Sequence, residues 1–157
     1  MFPKFLTVFF ISMVPLIELR GAIPIALGMG LPAVPSIIVC ALGNMLPVPF
    51  IYFFARKFLI WGADKAYIGK VCRFFLEKGR IAGQKLVAKT GRGGLAVALL
   101  IFVGIPLPGT GAWTGVLGAS FLDMGFKSTV ASVSLGVVLA GIIMTVVSLL
   151  GLHIFGL

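Results

Sequence analysis

From Phe5 to Ala55 the chain runs 51 residues with only two charged side chains, Glu18 and Arg20. Apolar runs in the cores of soluble domains are far shorter than this, whereas about 20 such residues already suffice to cross a bilayer. A second stretch, Gly93 to Leu122, is apolar and glycine-rich, and Thr129 to Leu157 contains no Asp, Glu, Lys or Arg. Overall 60% of the residues are hydrophobic and 11% charged, where a soluble domain carries roughly 25% charged residues. That balance excludes an ordinary globular enzyme. It also excludes a disordered chain, which needs low hydrophobicity and high charge. The composition leaves a polytopic membrane protein of one domain, placed in the cytoplasmic membrane.

The charge is concentrated between the apolar stretches. Ten of the thirteen Lys and Arg fall in the 37 residues from Arg56 to Arg92, opposed only by Asp64 and Glu77. A net charge of +9 can signal nucleic-acid binding, but in so hydrophobic a chain it reads as a short loop held on the cytoplasmic side. Tyr67, Val71, Phe74 and Phe75 recur at helical spacing with Lys70, Arg73 and Lys78 on other faces. This pattern predicts an amphipathic helix on the membrane surface, attracted to anionic lipid. The plainer alternative is a solvated loop with some helix. The chain thus divides into a first half (1–55), a basic linker (56–92) and a second half (93–157).

The N-terminal Met1-Phe2-Pro3-Lys4 and the apolar run after it resemble a signal peptide. Glu18 and Arg20 stand where a cleavage site would be, so a retained membrane segment is expected. The two halves share a layout. Gly21-Ala22 and Leu27-Gly28 match Gly111-Ala112 and Leu117-Gly118 at a constant separation of 90 residues.

Segment lengths fix what each half can do. Phe5 to Ile17 makes a helix of about 20 Å, short for a hydrocarbon core of about 30 Å, and Pro15, Pro24 and Pro32 interrupt the first half up to its long apolar run. Two short arms and a turn make a re-entrant hairpin. In the second half Leu95 to Val103 descends, Ile105 to Gly111 turns and Ala112 to Phe121 returns. Each half then ends in a full span, near Pro35 to Ala55 and near Thr129 to Leu150. Hairpins do not cross, so each half crosses once, the second half is inverted, and both termini lie outside the cytoplasm. Lys127 favours this arrangement. Full spans in place of hairpins would make the halves parallel with both termini inside, which Lys4 favours.

Three motifs carry polar chemistry. Glu18 and Arg20 lie within V-P-L-I-E-L-R-G-A-I-P, where a charge at the centre of a membrane helix costs roughly 2.5–3.5 kcal/mol. Burial favours the neutral form of such a carboxyl and a neighbouring Arg the charged form, so Glu18 is a candidate carrier for a proton or monovalent cation. The guanidinium of Arg20 suits phosphate or carboxylate. Alternatively both residues mark a helix end or pair with each other. In G-I-P-L-P-G-T-G-A-W-T-G, Pro106 and Pro108 break any helix and Gly109 and Gly111 permit unusual backbone. Irregular backbone at membrane depth needs protein or a wet cavity around it, which Thr110, Trp113 and Thr114 are placed to line. Gly111-x-x-x-Gly115 is equally a close-packing motif. Gly21 and Pro24 are the corresponding turn or gate residues of the first half. In G-N-M-L-P-V-P-F, Asn44 is polar within an apolar span and is a candidate binding residue that, with Pro47 and Pro49, widens the site or forms a hinge. The plainer reading is a proline-kinked helix with Asn44 bonded to a neighbour.

No paired carboxylates, nucleophile with a base, or Cys/His cluster is present in the sequence, so no enzymatic activity, cofactor or metal is expected. Cys40 and Cys72 form no disulfide framework. The expected partners are membrane lipids (anionic ones included), a proton or monovalent cation, and a small-molecule or lipid substrate, with no nucleic acid. A chain this small with two half-sites is also a candidate for homodimers.

At E-L-R-G-A-I-P and I-P-L-P-G-T-G-A-W-T-G, with G-N-M-L-P-V-P between them, the sequence resembles the small multi-drug export protein family. That family is grouped with the DedA/VTT superfamily. The resemblance extends over nearly the whole chain. It implies an all-α membrane fold with paired re-entrant hairpins in inverted halves. It also implies transport, because DedA members are implicated in cation-coupled translocation of undecaprenyl phosphate and eukaryotic relatives in lipid scrambling. Glu18 matches the type of position held by the embedded acid of DedA proteins. Their second-half arginines have no counterpart here, where Thr110 stands and only Arg20 or Arg92 could substitute. That departure counts against a phosphate-lipid substrate. The sequence therefore leaves three functions open: a secondary transporter or lipid flippase, an exporter of lipophilic cations, and a non-transporting assembly or lipid-organising protein.

Overall fold

The computed structural model describes residues 1–15, 17–107 and 110–155. Among these there is no strand. The helices are α1 (Phe2–Met13), α2 (Glu18–Gly28), α3 (Ala33–Met45), α4 (Val48–Ala63), α5 (Gly69–Gly104), α6 (Ala112–Phe121) and α7 (Phe126–Phe155). Among the described residues two stretches are long and apolar enough to cross a membrane: Ala33–Ala63, which joins α3 and α4, and Phe126–Gly151 in α7. On their flanks Phe50, Phe54, Leu135 and Val147 are more than half exposed. So much outward apolar surface suits contact with lipid and not water. The protein is an all-helical membrane protein.

The arms of each half are shorter. Helices α1, α2 and α6 have 12, 11 and 10 residues, or about 15–18 Å each, too little for a core of about 30 Å. Helix α5 spans 36 residues but breaks at Gly91, whose φ of 71° is left-handed. The break divides the basic linker from the arm that ends at Gly104. This arm and the next match the expected boundaries closely. The linker does not. Arg56 and Lys57 continue α4, and Tyr67 precedes α5 and is almost wholly exposed. Val71 and Phe74 are exposed on α5, while Cys72 is buried against Gly62 of α4.

The two halves repeat their local structure, in a register the shared letters do not reveal. After α2 the N–H groups of Met29, Gly30 and Leu31 donate to the carbonyls of Ile25, Leu27 and Ala26. After α6 those of Leu122, Asp123 and Met124 donate to Gly118, Ser120 and Ala119. Every position is displaced by 93 residues, including the positive φ of Gly30 (75°) and Asp123 (58°). The next turn repeats likewise: Ser36 Oγ donates to Pro32 O (2.8 Å) and Thr129 Oγ1 to Gly125 O (3.1 Å). Separation by 90 residues is therefore corrected to 93. The letters mislead because Gly and Leu recur everywhere in this chain, whereas a helix-ending turn fixes one position by its hydrogen bonds.

Gly43 on α3 and Gly136 on α7 also stand 93 residues apart, and each lets a hairpin arm approach closely. A Cβ at Gly43 would strike Phe9 O and Ser12 Oγ of α1, and one at Gly136 would strike Leu100 O and Val103 of α5. Small residues at such crossings allow the backbone contact on which helix association in lipid depends.

The long elements run antiparallel. Phe126, at the start of α7, packs on Tyr52 and Phe53 of α4 with ring centroids 5.3 and 4.9 Å apart. Further along, Ser134 Oγ reaches Met45 Sδ at 3.8 Å, and Gly141 faces Ile37 near the start of α3. The hairpins bind across this pair. Helix α2 packs on α7 and on α3, and α6 packs on α4 and on α7.

Candidate functional site

The site forms where the turn between α1 and α2 meets the turn between α5 and α6. Both helices that lead into it end in the same way. Val14 and Ile105 are extended, and Pro15 and Pro106 come next, which denies each helix its next N–H. The chain then re-enters a helix at positive φ in both halves, with Glu18 at 49° and Gly111 at 148°. Glycine adopts such backbone freely, but a glutamate there is strained by about 1–3 kcal/mol. Strain of this kind persists only where surrounding contacts hold it.

The contacts come from the other half. Helix α6 begins at Gly111 with no side-chain cap of its own. Glu18 Oε1 supplies one, accepting the Trp113 N–H at 3.0 Å, and the Ala112 N–H also faces the carboxyl. A carboxylate is favoured there by the unpaired N–H groups and by the helix dipole. The fit demands glycine at 111, since a Cβ would overlap Glu18 Oε2. Glu18 is 6% exposed, so little water competes for its oxygens.

Arg20 holds the other side of the same turn. Its guanidinium donates to Leu107 O and, at 2.6 Å, to Thr110 Oγ1. The Thr110 hydroxyl in turn lies 2.9 Å from the carbonyls of Ile105 and Leu107. One residue of α2 thus caps α6, and another two positions on fastens the loop that leads into it.

A cavity of about 420 Å³ opens beside these groups. Glu18, Arg20, Thr110, Trp113 and Thr114 all line it, together with Pro106. The buried Trp113 Nε1 has no hydrogen-bond partner. Trp113 also lines an apolar groove of about 450 Å³ formed with Phe54, Phe58 and Leu117, so one side chain borders both spaces.

Asn44 is elsewhere. It is buried in α3 and borders a much smaller cavity, of about 10 Å³, that Glu18 and Arg20 also line. Two further expectations are corrected. Pro24 lies within α2, not at a turn, and its missing N–H leaves the Arg20 carbonyl without a helical donor. Gly21 is also within α2, against Ile17. Pro108 and Gly109 lie outside the described residues. Sequence reasoning missed Pro15 and Leu107, whose signal was the paired V-P-L and I-P-L, and Met144 of α7, which gave none.

No curated protein and no solved structure matches the chain. A family model does, over residues 18–143, from Glu18 at the start of α2 through the α5–α6 turn and into α7. The protein belongs to the family described as "Putative small multi-drug export protein".

Proposed function

We propose that the protein is a multi-pass secondary transporter of the cytoplasmic membrane, with two inverted halves whose re-entrant turns meet at the translocation site. Three features support the inversion: the turns repeated 93 residues apart, the antiparallel course of the two long elements, and arms too short to span. The observation that carries the transport reading is the Glu18 carboxyl, held on strained backbone and capping the broken helix of the opposite half beside a cavity.

In this reading Glu18 is a latch. While ionised it caps α6 and keeps the two turns together. Protonation removes the anion from the first turn of α6, and a lost cap weakens such a contact by about 0.5–2 kcal/mol. That suffices to shift an equilibrium between closed and open turns several-fold. Arg20 keeps unused donors beside the cavity, since two bonds occupy only part of its fork. They suit the anionic head of an amphiphile, with Trp113 Nε1 as a further donor and the apolar groove beyond it for the tail.

A second reading, export of small lipophilic cations, is favoured by the family description. There Glu18 is the charge partner and the Trp113 face a cation–π surface. In the third reading, a lipid-organising protein without transport, Glu18 is only a cap.

Native mass spectrometry of wild type and Arg20→Ala, released gently from their own membrane, separates these. An anionic lipid retained by wild type and lost from the variant supports the amphiphile reading. If neither form retains one, the weight moves to cation export or to the role without transport.

A further inference from the structure

The small cavity beside Glu18 is distinct from the larger one, although Glu18 and Arg20 line both. Three pairs of repeated positions line it, Glu18 and Gly111, Leu19 and Ala112, and Asn44 and Val137, each pair 93 residues apart. Asn44 breaks the repeat by being polar. Its residue is 2% exposed, and its Oδ1 is buried with no hydrogen-bond partner. An unsatisfied buried acceptor costs about 1–3 kcal/mol, so its retention at an apolar crossing calls for a partner.

We propose that this cavity holds one water molecule, which donates a hydrogen bond to Asn44 Oδ1 and contacts the Glu18 carboxyl, and that the coupling ion is a proton, exchanged at Glu18 from the larger cavity it also lines, with the water rearranging as the carboxyl gains or loses it. The inference rests on the transporter reading above. The size fits, since a cavity of about 10 Å³ is close to the lower limit for one water, which needs at least two polar partners. A dehydrated metal cation fits badly. Hard cations gather about six or more oxygens, and of the nine lining residues only Glu18 and Asn44 bear a side-chain oxygen. Arg20 on the same wall adds a positive charge. The groups contributed by α5, α6 and α7 (Val103, Ala112, Val137 and Ala140 among them) carry no charge. A neutral water adds no charge beside Arg20.

Infrared difference spectra between acid and alkaline buffer test this on the full-length protein in lipid. The carboxyl band of Glu18 is assigned by its loss in Glu18→Gln, with only Glu77 as a second glutamate. The expected result is a water O–D band that changes with this carboxyl, shifts in oxygen-18 water, and is lost in Asn44→Leu. The wild-type spectra are expected to be the same in sodium and in choline. A sodium-dependent change in the Glu18 band, or no isotope-sensitive band in wild type, overturns the proposal. Both outcomes are read on wild type and do not depend on the variant folding. A band that survives in folded Asn44→Leu also overturns it. Failure of the transport reading appears separately, as absence of flux from liposomes whose protein still shows the band.

Discussion

Glu18 and Gly111 stand 93 positions apart at the same point of two repeated hairpins, and they touch each other. Both open an inner arm at positive φ. The missing side chain of one makes room for the carboxylate of the other. An equivalence of position has become a contact, with the acid in one half only.

Gly111→Ala meets two penalties, the left-handed backbone and the overlap with Glu18 Oε2. The expected loss is about 1–3 kcal/mol. Glu18→Ala in the same chain removes the overlap, so the double variant should lose less than the two single losses combined. Denaturation of the four proteins in one detergent measures this coupling.

The two repeat registers make opposite predictions for glycines. Gly28 and Gly118 match by letter, yet a Cβ at either meets nothing within 4 Å. Alanine there should be neutral, or stabilising by about 0.5–1 kcal/mol at Gly118 within α6. Gly43 and Gly136 match by structure and sit at backbone crossings. Alanine at either should destabilise, by about 1–3 kcal/mol. Melting temperatures of the four variants distinguish the registers.

Arg20 and Thr110 act as one unit on the second turn. Arg20→Ala should destabilise by about 1.5–3 kcal/mol, the range for hydrogen bonds to a charged group. Thr110→Val should cost less, and adding it to Arg20→Ala should cost little more. Additive losses in a denaturation cycle would show the two side chains to be independent.

The proposed re-entrant hairpins put Tyr67 and Phe2 on opposite faces of the membrane. Cys40 and Cys72 are buried, so a cysteine placed at the exposed Tyr67 becomes the reactive thiol. An impermeant maleimide should label it from the cytoplasmic face, and a cysteine replacing Phe2 from the opposite face. Labelling of both from one face would mean full spans in place of hairpins.

Much of this arrangement was legible in the sequence because membrane helices obey simple limits of length and punctuation. Pro106 and the glycines after it marked the second turn, and the short apolar arms on either side were implied by it. Glu18, Arg20, Thr110, Trp113 and Thr114 were expected together, since each is polar where apolar residues are the rule. The register was not legible, because the residues at positive φ include Glu18 and Asp123 as well as glycines. Nor was the place of Pro24, which α2 accommodates without a turn. That Asn44 would face a separate small cavity, and not the larger one, depends on the crossing of α3 with α7 and has no local signal.

The most direct test of the account is flux driven by a pH gradient in liposomes containing wild type or Glu18→Gln. A glutamine keeps an oxygen for the Trp113 N–H, so the variant should fold. The substrate is the lipid retained in native mass spectra or, failing that, a lipophilic quaternary ammonium. Wild-type flux is predicted to follow the gradient, and Glu18→Gln to lose that dependence while remaining folded. A Glu18→Gln protein that responds to the gradient as wild type does would contradict the account and leave Glu18 a cap and nothing more.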